Sequence, residues 1–202
     1  MKKSGPKKEI LRQVIHLLCG VAGVANIYFD IVQLRYVFII FVFGIILFVN
    51  INFTTEVHPL LKKLISYVER EKGLVGQGVL TLFFSYMVLH SISYLYPAYL
   101  EISLTSMAIL AYGDSAGTIF GVLTNKFILP YNKKKNFIGV FMGILFATMG
   151  SMIFTNPLFA FITASVAMFF ESTDLRIRDA KIDDNLLVPF VSFITMFLLT
   201  RL

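Results

Sequence analysis

The residues of this sequence that could carry out chemistry are centred on Asp114, a carboxylate inside an otherwise apolar segment. The segment reads Tyr112-Gly113-Asp114-Ser115-Ala116-Gly117-Thr118-Ile119-Phe120-Gly121. A run of three lysines follows at 133–135. A charge at membrane depth is costly unless it is compensated, and intramembrane carboxylates mark ion, proton or substrate chemistry. Asp114 is therefore the first candidate for a catalytic or metal-binding residue.

Further charged and amide residues stand at the ends of the apolar segments. They are Glu171, Asp174, Asp183, Asp184, Asn125, Asn136, Asn185, Arg12, Lys126, Lys133, Lys134, Lys135, Arg176 and Arg178. Mg²⁺ usually takes one or two carboxylates together with substrate phosphates, whereas cations and glycine backbone suit phosphate oxygens. Together these groups are the components of a phosphoryl-transfer site, where positioning and charge neutralisation provide most of the catalysis.

Each of these groups also has a structural interpretation, which the sequence leaves open. Gly113, Gly117 and Gly121 are spaced four apart, as in the small-residue stripes that pack membrane helices. Asp183 to Asn185 could cap the last helix, since Asp and Asn are favoured N-caps. The lysine run could be a solvated loop that only sets membrane orientation. Arg12 and His16 share one face of the first helix, which either lies in the headgroup region or faces an anionic ligand.

Composition excludes several classes of function. The single cysteine, Cys19, excludes an internal disulfide and a cysteine-based metal cluster. The histidines lack the spacing of a zinc site, and neither a Walker A sequence nor a dinucleotide-binding G-x-G-x-x-G is present. The net charge of +6 on so apolar a chain indicates attraction to anionic lipid, with no nucleic-acid partner.

The chain is 57% hydrophobic and 15% charged, and its mean hydropathy is +0.78. A soluble domain is nearer half apolar and a quarter charged. We therefore predict an all-α polytopic membrane helix bundle of about seven transmembrane helices, forming a single domain over 1–202. The predicted spans are 9–28, 36–53, 78–96, 101–123, 137–154, 157–170 and 186–200. A basic tail at 1–8 precedes them, and 54–77 is predicted to be an amphipathic cytoplasmic connection.

Basic residues predict the orientation. With the N-terminus in the cytoplasm, all of the 18 lysines and arginines except Arg35 and Arg201 lie on the cytoplasmic side. The tail and the loops at 54–77, 124–136 and 171–185 then share that face, which carries the active site. The expected location is the cell membrane of a prokaryote or an endoplasmic reticulum-type membrane of a eukaryote. We find no internal repeat of the kind that many transporters have, and the oligomeric state stays open.

Three separated patterns carry a resemblance to a known family. The first is Glu9-Ile10-Leu11-Arg12-Gln13-Val14-Ile15-His16 with Gly20, the second is Gly113-Asp114 with Gly121 followed by Lys135 and Gly139, and the third is Glu171 with Asp184-Asn185-Leu186 and Pro189. In this order they resemble the E-x-x-R-K-x-x-H-x-x-x-G, G-D-x-x-A-x-x-x-G, K-S-x-x-G-S and E…D-N-L-x-x-P segments of the CTP-dependent lipid kinases. That family includes dolichol kinase, phytol kinase and yeast-type diacylglycerol kinase. Gln13, Gly117, Asn125, Asn136 and Val140 depart from its pattern.

The resemblance implies transfer of the γ-phosphate of CTP, with Mg²⁺, to the hydroxyl of a polyprenol or dolichol, a phytol-type alcohol or a diacylglycerol. It implies catalytic roles for Asp114, Glu171 and His16, and a metal site formed by Asp114, Glu171 and Asp184. The residues that it implies for nucleotide and phosphate binding are Arg12, Gly113, Gly117, Gly121, Lys126, Lys135 and Asn185.

Two alternatives to the lipid-kinase function stay open. A phosphatidate cytidylyltransferase also uses CTP and acidic residues within a membrane bundle, but it releases pyrophosphate and forms a CDP-lipid. A non-catalytic transporter or assembly factor would use the glycines only to pack helices.

Overall fold

The computed structural model describes residues 5–53, 74–124, 126–173, 175–177 and 180–201. Most of the predicted amphipathic connection, 54–73, lies outside these residues, as do Asn125, Asp174 and Arg178. The first four residues of the predicted tail are also outside them.

The described chain is helical apart from one very short antiparallel hairpin. The helices are α1 (Pro6–Phe29), α2 (Leu34–Phe53), α3 (Gln77–Leu95), α4 (Leu100–Ala108), a π-helical segment (Ile109–Asp114), α5 (Ser115–Thr124), α6 (Phe137–Ser151), α7 (Pro157–Ser172) and α8 (Asp184–Leu199). A 3₁₀ turn, Pro97–Tyr99, leads into α4. Strands β1 (Arg176–Ile177) and β2 (Ala180–Lys181) form the hairpin, which the sequence analysis did not predict.

Four helices within the described residues are long and apolar enough to cross a membrane, by length and composition. They are Pro6–Phe29, Leu34–Phe53, Gln77–Leu95 and Pro97–Thr124. The helices Phe137–Ser151, Pro157–Ser172 and Asp184–Leu199 are apolar but shorter. The 15 residues of α6 span only about 22 Å, against a hydrocarbon core of about 30 Å. The predicted helical class is therefore confirmed, and the apolar helices are compatible with a membrane protein.

The predicted helix ends shift where local chemistry starts or stops a helix. The first helix begins at Pro6 and takes in the end of the predicted tail, because proline fits the first helical turn, where its missing N–H has no partner to lose. The last helix begins at Asp184 because Asp183 is its N-cap and accepts a bond from the Asn185 N–H. The capping interpretation of Asp183 is confirmed.

The continuous helical stretch from α4 to α5 forms the centre of the bundle. Five consecutive residues of this stretch are at most 1% exposed: Met107, Ala108, Ile109, Leu110 and Ala111. Helix α1 packs against α4, the π-helical segment and α5, while α6 packs against the π-helical segment and α5. The extra residue of a π turn re-aims the side chains that follow, and such turns are frequent at functional sites. Here the π-helical segment ends at Asp114.

Glycines bring α5 and α6 unusually close together. A Cβ placed on Gly139 would lie 2.7 Å from the main-chain oxygen of Gly117 and 3.1 Å from the Cα of Gly121. A side chain at Gly139 would therefore clash with backbone, which cannot rotate away. Gly117 and Gly121 thus lie in a helix-packing seam, and this seam fixes the loop that joins α5 and α6 beside Asp114.

Candidate functional site: a carboxylate cluster in a basic cavity

A cavity of about 1010 Å³ opens at one end of the helices. The N-terminal ends of α1, α3, α6 and α8 reach it through Pro6, Gln77, Asn136 and Asp184. Helix N-termini carry partial positive charge and favour anions. Among the residues that the structure describes, six cations also line this cavity: Arg12, Lys133, Lys134, Lys135, Arg176 and Lys181. The cavity is therefore suited to an anionic ligand that brings a cation with it, since the carboxylates Glu9, Asp114, Glu171, Asp183 and Asp184 line it as well.

Three buried carboxylates lie in this positive setting. Asp114 ends the π-helical segment, Glu171 stands in the last turn of α7, and Asp184 begins α8. One carboxylate oxygen from each lies within 4.8 Å of the others. All three residues line the cavity, and each is at most 7% exposed. The fold thus brings together the three residues from which the sequence predicted a metal site.

The geometry of these oxygens fits a divalent cation. In an octahedral Mg²⁺ site with ligand distances of about 2.1 Å, neighbouring oxygens lie about 3 Å apart and opposite ones about 4 Å apart. Oxygens already grouped within 4.8 Å need only small side-chain adjustments to reach that arrangement. Asp114, Glu171 and Asp184 would hold the ion at the wall of the cavity.

Lysines balance part of this negative charge. The Lys135 ammonium group forms an ion pair with Glu171 Oε1, and Lys181 Nζ lies 3.0 Å from Asp184 Oδ2. Burial alone would lower the pKa of Lys135, but the charges of Glu171 and Asp184 act in the opposite direction, and the net effect raises its pKa above the usual value. Lys135 therefore stays protonated and positively charged at neutral pH.

The loop that carries Lys135 is clamped to the end of α7 by residues that the sequence analysis did not single out. Asn132 donates its side-chain N–H to the Ser172 carbonyl at 2.8 Å and accepts from the Lys134 N–H at 3.0 Å. Tyr131 and Ser172 share a hydroxyl hydrogen bond at 2.8 Å. Asn132 and Ser172 are adjacent only in three dimensions, so no sequence spacing signals this pair. The clamp holds Lys135 against Glu171.

Replacing Asn132 by alanine should destabilise this clamp. The substitution removes the amide N–H that the buried Ser172 carbonyl accepts, which costs about 1–3 kcal/mol, and it should also weaken the proposed phosphoryl transfer by loosening Lys135. Thermal unfolding of the purified protein in detergent measures the first effect. Gln33→Ala, an amide truncation at an exposed position just before α2, is the matched control and should change stability by less than about 0.5 kcal/mol. Equal melting temperatures for the two variants would contradict the clamp.

His16 is held by hydrogen bonds from both sides. Its Nε2 lies 2.7 Å from Asn185 Oδ1 and its Nδ1 lies 3.3 Å from Ser115 Oγ. The Asn185 amide nitrogen donates to the Gly78 carbonyl at 2.9 Å, so its oxygen faces His16. A neutral His16 consequently carries its proton on Nε2. That nitrogen is also 3.7 Å from Asp114 Oδ2, which places His16 directly behind the carboxylate.

The other predicted site residues occupy different positions around the cavity. Arg12 lines it and is paired with Glu9 at 2.5 Å. Asn185, Gly117 and Gly121 also line it. Gly113 is turned toward α6 and α7, because a Cβ there would meet Met168 and Ala147.

Lys126 is exposed and lies outside the set of residues that line the cavity. The structure thus brings nine of the eleven predicted site residues to the cavity or its back wall and leaves Gly113 and Lys126 apart from it. The nine are Arg12, His16, Asp114, Gly117, Gly121, Lys135, Glu171, Asp184 and Asn185.

No protein-family model, curated protein or solved structure matches this chain.

Proposed function

We propose that this protein is an integral membrane kinase that transfers the γ-phosphate of CTP to the hydroxyl of a lipid alcohol. The acceptor would be a polyprenol or dolichol, a phytol-type alcohol or a diacylglycerol. The observation that carries the proposal is the group of three buried carboxylates with Lys135 in a cavity lined by cations. Phosphoryl transfer needs this combination, because the reacting phosphates are anionic and their metal ion is held by carboxylates.

The location of the cavity supports a reaction between a soluble nucleotide and a lipid. It lies at one end of apolar helices and is lined by residues of the predicted cytoplasmic loop at 124–136 and of the hairpin. At the opposite end of the helices, Arg35 lies in the first turn of α2 and Arg201 follows the end of α8. This distribution favours a cytoplasmic cavity under the positive-inside rule. A lipid hydroxyl at the membrane surface could then meet CTP that arrives from the cytosol.

Each residue would have a defined role in the transfer. Mg²⁺, when bound, would neutralise and orient the CTP phosphates. Asp114, Glu171 and Asp184 would hold that ion, and Asp114 could alternatively orient the lipid hydroxyl. Arg12, Lys133 and Lys135 would bind phosphate oxygens. His16, fixed by Asn185, would keep Asp114 oriented toward the cavity.

The bond changes follow from this arrangement. The lipid oxygen forms a bond to the γ-phosphorus, the bond from that phosphorus to the β–γ bridging oxygen breaks, and the hydroxyl proton leaves to a carboxylate or to water. The products are a lipid monophosphate and CDP. Because the transition state of such transfers is loose, positioning and charge stabilisation contribute more than a strong base does.

The experiment is an incubation of the purified protein with CTP, Mg²⁺ and a panel of lipid alcohols. We expect CDP and a lipid monophosphate from at least one alcohol. Phosphatidate is included in the panel, because release of pyrophosphate and a CDP-lipid would identify a cytidylyltransferase in its place. Absence of any lipid product with every acceptor and every nucleoside triphosphate would overturn an enzymatic function.

A further inference from the structure

The ammonium group of Lys135 occupies the same carboxylate cluster that would hold a divalent cation. It is paired with Glu171 Oε1, and it also lies within the electrostatic influence of Asp184 and Asp114. The oxygens of these three acids that could ligate a metal lie within 4.8 Å of one another. A metal ion bound there would therefore share its ligands with an amine.

An ammonium group and a divalent cation compete when they approach the same small set of oxygens. Their charges repel each other, and this repulsion is strong in a buried site where water screens poorly. An oxygen of Glu171 that coordinates the metal also loses part of its charge to the metal and attracts the amine less. Metal binding therefore weakens the contact between Lys135 and Glu171.

The side chain of Lys135 is the part that can move. Its main chain is held, because its N–H donates to the Asn132 carbonyl at 3.1 Å and its own carbonyl accepts from the Leu129 N–H at 3.0 Å. The four-carbon stem of lysine is flexible, however, and its amine is next to a cavity of about 1010 Å³. The amine can therefore leave Glu171 by side-chain rotation alone.

We propose that Lys135 is a placeholder cation, which neutralises the carboxylate cluster until a divalent cation displaces its amine into the cavity. This proposal rests on the function proposed above, since it assigns the metal to the same site. Lys135 thereby acts in two steps: it keeps three buried acids compatible with the folded state, and it then becomes available to an anionic ligand when the metal–nucleotide complex binds. The amine and the metal compete for the same acids.

The test compares divalent-cation affinity among lysine variants without nucleotide. Mn²⁺ serves as the probe, and its binding to purified protein is followed by electron paramagnetic resonance or calorimetry. Because a competing cation is removed, Lys135→Gln should bind Mn²⁺ about ten-fold more tightly than the native protein. Lys135→Arg keeps the charge and should not gain affinity. Lys7→Gln removes the same charge from an exposed position in the first turn of α1, outside the residues that line the cavity, and should stay within about two-fold.

The outcomes separate this inference from the proposed function. Equal or weaker Mn²⁺ binding by Lys135→Gln overturns the placeholder role, as does the absence of Mn²⁺ binding by every variant. If Lys135→Gln does not fold, Lys135→Met is measured in its place and the same tightening is required of it. A kinase assay of the native protein decides the proposed function independently. If Lys135→Gln binds Mn²⁺ more tightly but the native protein has no kinase activity, the placeholder role of Lys135 stands and the proposed kinase function is wrong.

Discussion

Asp114→Asn should lower CTP-dependent lipid phosphorylation by roughly 1000-fold, the loss typical of removing one preorganised group that stabilises a charged transition state. Asparagine has nearly the same shape as aspartate but lacks its charge, so it can neither hold the metal ion as firmly nor balance the positive cavity. The Thr118 hydroxyl, which donates to Asp114 Oδ1 at 3.4 Å, can still donate to the amide oxygen. The variant should therefore fold, and its loss should be in kcat more than in KM.

Asp30→Asn is the matched control for this substitution. Asp30 lies at the other end of α1 in a left-handed conformation, with φ of 48°, which asparagine adopts readily. The same chemical change there should leave the activity within a few-fold of the native value. If Asp114→Asn retains native activity, then Asp114 has only a structural role and the kinase proposal loses its central residue.

Gly139→Ala should destabilise the protein by about 3 kcal/mol, at the upper end of the cost of overpacking, or prevent folding altogether. The added Cβ would lie 2.7 Å from the Gly117 carbonyl oxygen and 3.1 Å from the Gly121 Cα. Relief requires α5 and α6 to separate, since both obstacles are backbone atoms. Separation would also displace Asn136, whose side chain links the start of α6 to the Gly121 carbonyl at 2.8 Å.

Two further alanine substitutions make this prediction quantitative. A Cβ on Gly117 would lie 3.3 Å from the Gly139 carbonyl oxygen, so Gly117→Ala should cost less than Gly139→Ala. A Cβ on Gly44 in α2 would come no closer than 4.0 Å to Leu80, and the gain in helix propensity should stabilise Gly44→Ala by about 0.5–1 kcal/mol. Melting temperatures in detergent should rise from Gly139→Ala through Gly117→Ala to Gly44→Ala. A different order would show that the seam between α5 and α6 is not tightly packed.

The helical class and the approximate segments could be predicted from the sequence, because long apolar runs carry a strong signal. Helix ends were less predictable, since they depend on single residues such as Pro6 and Asp183. The π-helical segment at 109–114 could not be predicted, because one extra residue in a turn leaves almost no trace in an apolar pattern. The hairpin at 176–181 was missed because its strands are only two residues long.

The candidate site, too, could be predicted only in part. The assignment of loops to one side of the membrane predicted that Asp114, Lys135, Glu171 and Asp184 would meet, because alternate ends of antiparallel helices share one face. The pairing of Lys135 with Glu171 could not be predicted in this way, since it depends on how Asn132 holds the loop. Asn185 was predicted as a nucleotide contact, and its amide bonds His16 and Gly78 in the structure. Long-range contacts of this kind follow from packing and have no local sequence pattern.

The most direct test of the account follows individual phosphorus atoms of CTP into the lipid. Native protein is incubated with Mg²⁺, a lipid-alcohol acceptor and CTP that carries distinguishable labels at its α- and γ-phosphorus, and Asp114→Asn is treated in parallel. We predict that the native protein transfers only the γ-label to lipid, with CDP as the second product, and that Asp114→Asn transfers almost none. Appearance of the α-label in lipid, or equal transfer by the two proteins, would contradict the proposed function.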